Sequence, residues 1–70
     1  MSSLVWTVQR LDRDDYGGWR TEGTRKTLRG AQALLARLCD KPVYGYQRTG
    51  EAYGEPVLEV HGFRISYGWG

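Results

Sequence analysis

One cysteine, one histidine and two prolines are all that this 70-residue chain holds of the residues that staple, ligate or kink a small fold. The single thiol, Cys39, excludes an intrachain disulfide. Cys39 and His61 together fall short of a zinc set, which takes four protein ligands, or three and a water. No apolar run approaches the roughly 18 residues of a membrane-crossing helix, so no membrane role is expected. The opening Met1-Ser2-Ser3-Leu4-Val5-Trp6 lacks the basic start and apolar run of a signal peptide. With a lone thiol, this reading expects a reducing, cytoplasmic setting. Charge of one sign is also scarce. Ten Lys/Arg against eight Asp/Glu leave +2, too little to argue nucleic acid from net charge and too positive for an acidic mimic of DNA.

Catalytic signatures are equally thin. Ser2, Ser3 and Ser66 stand in no nucleophile motif, and His61 sits beside Gly62 where a turn is expected. Asp12, Asp14 and Asp15 lack the oxygen spacing and closing Glu of a calcium loop, and read as a solvated hairpin tip. The chain is therefore read as a non-enzymatic domain, residues 1–70, with no metal and no cofactor.

What is abundant is aromatic. Three tryptophans, five tyrosines and one phenylalanine supply large side chains, each able to bury roughly 150–250 Å². In so short a chain they replace the missing staples. The ten glycines, set among aromatic and β-branched residues, point to tight turns rather than disorder.

The pattern along the chain reads β-β-α-β-β-β. Residues 4–11 alternate, with Leu4, Trp6 and Val8 on one face. Asp12 to Gly18 is a loop closing a hairpin, and Trp19 to Gly23 a short returning strand whose Trp19 is assigned to the core. Thr24 to Thr27 is a polar connector ending in an N-cap, Thr27. A helix over about 28–39 follows, with Leu28, Ala31, Leu34, Leu35 and Leu38 as one apolar stripe, halted by Pro42. Val43 to Arg48 is read as a strand with Tyr44 and Tyr46 on one face, and Thr49 to Pro56 as a loop. Val57 to Tyr67 is a hairpin turning at His61-Gly62. That register pairs Val60 with Phe63, Glu59 with Arg64 as an ion pair, and Leu58 with Ile65. Leu58, Val60, Phe63, Ile65 and Tyr67 then share the face that meets the helix. The expected fold is α+β: one amphipathic helix on a mostly antiparallel sheet.

Two groups of residues remain for binding. Arg20, Arg25, Lys26 and Arg29 gather around the expected helix start, where the helix dipole disfavours cations. They read either as an anion site or as a solvated basic rim partly neutralised by Glu22. The aromatics Tyr44, Tyr46 and Tyr53, with Tyr16 and Trp69 behind them, exceed what one short helix can cover. Tyr, Trp and Arg are the residues that dominate interface hot spots. The competing reading is that Tyr44 and Tyr46 merely cover the back of the sheet. An exposed edge bearing those two tyrosines would also suit pairing with a second copy, a homodimer.

The stretch Trp6-Thr-Val-Gln-Arg10, then Gly18-Trp19-Arg20, then Thr27-Leu-Arg-Gly-Ala-Gln-Ala-Leu-Leu-Ala-Arg-Leu38, resembles the strand–strand–helix openings of small proteins encoded by phages and mobile elements. Anti-CRISPR proteins are one such group. The resemblance implies a stoichiometric inhibitor or adaptor in a host cytoplasm, acting on a nucleic-acid-processing complex. The expected partner is a protein contacted by Arg20, Arg25, Lys26, Arg29, Tyr44, Tyr46 and Tyr53. A nucleic-acid-binding module using the basic patch and exposed aromatics is the alternative.

Overall fold

A computed structural model describes residues 3–12 and 18–70. The first strand, β1 (Leu4–Asp12), pairs antiparallel with β2 (Gly18–Arg25), Asp12 lying opposite Gly18. Residues 13–17 of the connecting loop, with Asp14, Asp15 and Tyr16, lie outside the described residues. Helix α1 (Leu28–Leu38) follows, then β3 (Gln47–Ala52), β4 (Glu55–Val60) and β5 (Phe63–Trp69). The strands form one sheet in the order β2-β1-β5-β4-β3, every pairing antiparallel. The α+β architecture of one helix on an antiparallel sheet is therefore observed, with β1 and β5 at its centre.

The helix starts where its cap chemistry dictates. Thr27 holds extended dihedrals (φ −127°, ψ 155°), and its hydroxyl oxygen accepts from the Gly30 amide at 3.0 Å. At the other end the Cys39 amide donates to Leu35 O at 3.0 Å and closes the last turn. Ala31 and Leu35 are fully buried, while Leu28, Leu34 and Leu38 pack beside them half-buried. The expected stripe is thus the docking face. It meets Trp6, Val8, Phe63 and Ile65, which complete the core. Trp6 and Tyr67 add a tilted ring pair with centroids 4.9 Å apart.

The β4–β5 hairpin has the expected register, Leu58 opposite Ile65, Glu59 opposite Arg64 and Val60 opposite Phe63. Its turn puts His61 at φ 51° and Gly62 at φ 79°, the double left-handed geometry of a two-residue hairpin loop. His61 Nε2 donates to Pro42 O at 3.2 Å and ties this turn to the segment after the helix. The expected Glu59–Arg64 ion pair gives way to another arrangement. Arg64 donates Nε and Nη2 to Gln9 Oε1, at 3.1 and 2.8 Å, and lays its guanidinium 4.2 Å above the Trp19 ring. A planar fork can satisfy an amide oxygen and stack on an indole together, which a single carboxylate contact would forfeit.

Four further expectations are corrected. Trp19 is not in the core: it lies opposite Leu11, on the sheet face away from the helix. The cause is a bulge in β2, where Val8 pairs with Gly23 but Gln9 pairs with Thr21. The extra residue, Glu22, shifts the alternation by one, so Gly23 faces the helix while Trp19 and Thr21 face away. A Cβ at Gly23 would stand 2.8 Å from Leu34 Cδ2, consistent with the helix lying directly above it. β2 also continues through Thr24 and Arg25, the first two residues of the expected connector.

Tyr44 and Tyr46 do not lie on a strand. Residues 42–46 are irregular, and Gly45 at φ 76° breaks any extended run. Tyr44 is exposed, whereas Tyr46 and Val43 turn inward and pack on the core. The strand begins instead at Gln47, and the expected 49–56 loop is the β3–β4 hairpin. Its turn is Tyr53-Gly54, closed by the pair Ala52–Glu55. Being a sheet edge exposed on both faces, β3 has no apolar alternation to announce it. Both edges are irregular and charged. β2 carries the bulge at Glu22, and β3 shifts register between Arg48 and Gly50 with Arg48 bonded to Glu51. Such edges resist pairing with another chain. Tyr44 and Tyr46 lie on neither edge strand.

Candidate interaction surface

The antiparallel register decides what shares each end of the sheet. Leu4 pairs with Trp69 and Trp6 pairs with Arg25, so the start of β1 and the ends of β2 and β5 coincide. The β3–β4 turn reaches the same end, because Tyr53 meets Trp69 edge-on with ring centroids 6.4 Å apart. Both rings are 60% exposed. The Tyr53 ring also lies 3.7 Å from where a Gly68 Cβ would stand, an ordinary contact distance.

Tyr53 occupies the first turn position at φ 54°, with Gly54 at φ 77°. Left-handed backbone crowds a Cβ against the neighbouring carbonyl, at a cost of roughly 1–2 kcal/mol for ordinary residues. Asn, Asp, Gly and His relieve that cost, and a bulky aromatic does not. The fold would be served better by Asn at this position.

Beside Trp69 the open face of the sheet carries a shallow hollow of about 420 Å³. Thr7, Gln9, Thr21, Thr24 and Ser66 line it with hydroxyls and one amide, and Gly68, Trp69 and Gly70 close it. None of these side chains is charged. Past Thr24 come Arg25, Lys26 and Arg29, all three without an ion pair among the described residues. Arg25 Nη1 donates to Thr24 O at 2.7 Å, and the side chain lies on the helix face of the sheet, its Cβ 3.3 Å from where a Gly30 Cβ would stand. The helix has no acidic residue in its first turn.

The expected contact residues thus divide. Arg25, Lys26, Arg29 and Tyr53 share one end of the sheet. Arg20 lies five residues back along β2, roughly 16 Å away by strand rise, and bridges Asp12 at 3.6 Å. Tyr44 belongs to the opposite end, where it lines a depression with Gly45, Gln47, Glu59 and His61. Tyr46 is half-buried in the core margin; burial, and secondarily Cys39, raises its phenol pKa above the usual value. Trp69 joins the contact set, and its pairing with Leu4 is the signal that brings it to the Arg25 end.

At the opposite end Arg10, Leu38, Cys39, Asp40, Lys41 and His61 surround a second depression. Among the described residues no group of three or more His, Cys, Asp or Glu is placed to hold a metal. Also among them, no helix is long and apolar enough to cross a membrane. Comparison with known proteins returns no matching family model, no matching curated protein and no matching solved structure.

Proposed function

We propose that this chain is a small protein-binding inhibitor or adaptor whose contact surface is the sheet end bearing Tyr53 and Trp69. The observation that carries this reading is Tyr53 itself: a large aromatic, 60% exposed, held at a left-handed turn position that folding would assign to Asn. Exposed Tyr and Trp at a sheet end that Arg25 also reaches match the composition of an interface hot spot. The acidic residue next to this turn, Glu55, favours a protein over a phosphate backbone, because it would repel phosphates approaching the rings. In keeping with the phage-like opening of the sequence, the target is read as a protein of a host nucleic-acid-processing complex in the cytoplasm, and the chain acts by occupancy rather than by chemistry.

Affinity capture from host lysate, before and after nuclease digestion, tests this. A stoichiometric protein partner should survive the nuclease and be lost from a Tyr53→Ala/Trp69→Ala variant that still folds. Capture that vanishes with the nuclease would transfer the function to nucleic-acid binding. A partner retained by the double variant would refute the assigned surface.

A further inference from the structure

We infer that the depression beside Tyr44 binds a guanidinium, the side chain of an arginine presented by a protein. It lies at the sheet end opposite Tyr53 and Trp69 and does not depend on the surface assigned there. Its charge comes from Glu59. The register places Gln47, Glu59, Arg64, Gln9 and Thr21 in one row across the open face of the sheet. Glu59 therefore has a cation as its direct cross-strand neighbour and does not hold it. Arg64 turns away toward β1 and β2, giving Nε and Nη2 to Gln9 Oε1 and lying over Trp19. Among the described residues Glu59 makes no ion pair and no side-chain hydrogen bond. It is half-buried all the same, so it loses hydration without gaining a partner. A cation arriving from outside supplies what Arg64 withholds.

The groups around Glu59 fit an arginine in particular. A depression of about 390 Å³ is lined by Tyr44, Gly45, Gln47, Glu59 and His61. Alternation would set Tyr44 and Tyr46 on one side. The left-handed Gly45, at φ 76°, separates them, so Tyr46 packs on the core and Tyr44 stands 77% exposed. Among the described residues the Tyr44 ring makes no aromatic or cation contact. A carboxylate takes the planar guanidinium fork through two parallel N–H bonds, and an aromatic ring takes its flat face. The amide oxygen of Gln47, paired across from Glu59, can accept a remaining N–H. His61 at the rim is already engaged with Pro42 O. An ammonium is a point charge and uses neither the fork nor the flat stack as fully. Phosphates and carboxylates are repelled by Glu59.

Blocked tripeptides Gly-Arg-Gly, Gly-Lys-Gly and Gly-Glu-Gly, titrated into the full-length protein, test the assignment, with backbone amide shifts in two-dimensional NMR as the readout. The arginine probe should give saturable shifts at Gln47, Glu59 and Val60, with affinity on the order of millimolar. Glu59→Gln should weaken it about tenfold, because a charge-assisted pair is lost. Tyr44→Ala should weaken it about threefold, and Tyr44→Phe, which keeps the ring, should leave it unchanged. Glu59 makes no side-chain contact that holds the fold and Tyr44 is exposed, so unchanged thermal melts show that these variants fold. Shifts that do not saturate by about 20 mM would overturn the inference, since a millimolar site is nearly full there. Equal binding of the glutamate probe, or unchanged affinity in Glu59→Gln, would overturn it as well. A lysine probe that binds as tightly as the arginine probe would overturn the assignment to a guanidinium. The Tyr53→Ala/Trp69→Ala variant should leave the titration unaltered; arginine binding lost in that variant would move the site to the aromatic end and refute this one.

Discussion

Replacing Tyr53 separates the demands of folding from those of recognition, because its backbone and its ring act with opposite sign. At φ 54° the residue bears a left-handed penalty of roughly 1–2 kcal/mol that Asn largely escapes through local hydrogen bonding. Its edge-on contact with Trp69 works the other way. Such ring pairs contribute roughly 0.5–1.5 kcal/mol, and two rings 60% exposed belong at the low end. Tyr53→Ala removes the ring but keeps a Cβ in the left-handed region, so it should cost about 0.5–1 kcal/mol. Tyr53→Asn loses the same ring and recovers about 1 kcal/mol from the backbone, which returns it close to the starting stability. The Asn variant should therefore exceed the Ala variant by about 1 kcal/mol, or about 4–8 °C in Tm for a domain near this size. Thermal and urea melts followed by circular dichroism measure the difference directly. Both variants should be equally defective in binding. An Asn variant that melts at or below the Ala variant would remove the strain from the reasoning, and with it the main reason for assigning Tyr53 to recognition. His61→Asn serves as the internal control. His already tolerates the left-handed position, and its bond to Pro42 O would be lost, so the gain there should be smaller.

Other expectations concern the scaffold. Leu35 is fully buried where the helix meets the core, so Leu35→Ala should cost about 3 kcal/mol in urea unfolding, against a total of about 3.5–10 kcal/mol for a domain of this length; a loss below about 1 kcal/mol would contradict the packing described. Tyr46 gives a pH test. Because burial raises its phenol pKa, the unfolded chain ionises first as pH rises. The protonated phenol's contribution is intact at neutral pH and is lost progressively above about pH 10, and Tyr46→Phe should flatten that fall in stability. Arg64→Leu, which breaks both the Gln9 bonds and the Trp19 stack, should cost about 1–2 kcal/mol and shift the Trp19 emission, whereas Glu59→Gln should leave stability within about 0.5 kcal/mol.

The local rules were legible in the residues. Thr27 capped the helix, five apolar positions at helical spacing marked its face, and His61-Gly62 set a hairpin register that placed Leu58, Val60, Phe63, Ile65 and Tyr67 together. These follow from interactions within a few residues, or from a period that a single slip would ruin. What the sequence could not reveal arises between elements. The extra residue at Glu22 changed which face Trp19 occupies, and no periodicity signals a bulge. An edge strand exposed on both faces has no alternation, so β3 read as a loop and its turn at Tyr53-Gly54 was hidden. The candidate surface depends on both kinds of information. Aromatic surplus and unneutralised cations could be counted along the chain. Only antiparallel pairing of β1 with β2 and β5 brings Arg25, Trp69 and Tyr53, far apart in sequence, to one end of the sheet and leaves Arg20 and Tyr44 at the other. That choice is made by the burial of the helix stripe against the central strands, a property of the assembled sheet rather than of any segment within it.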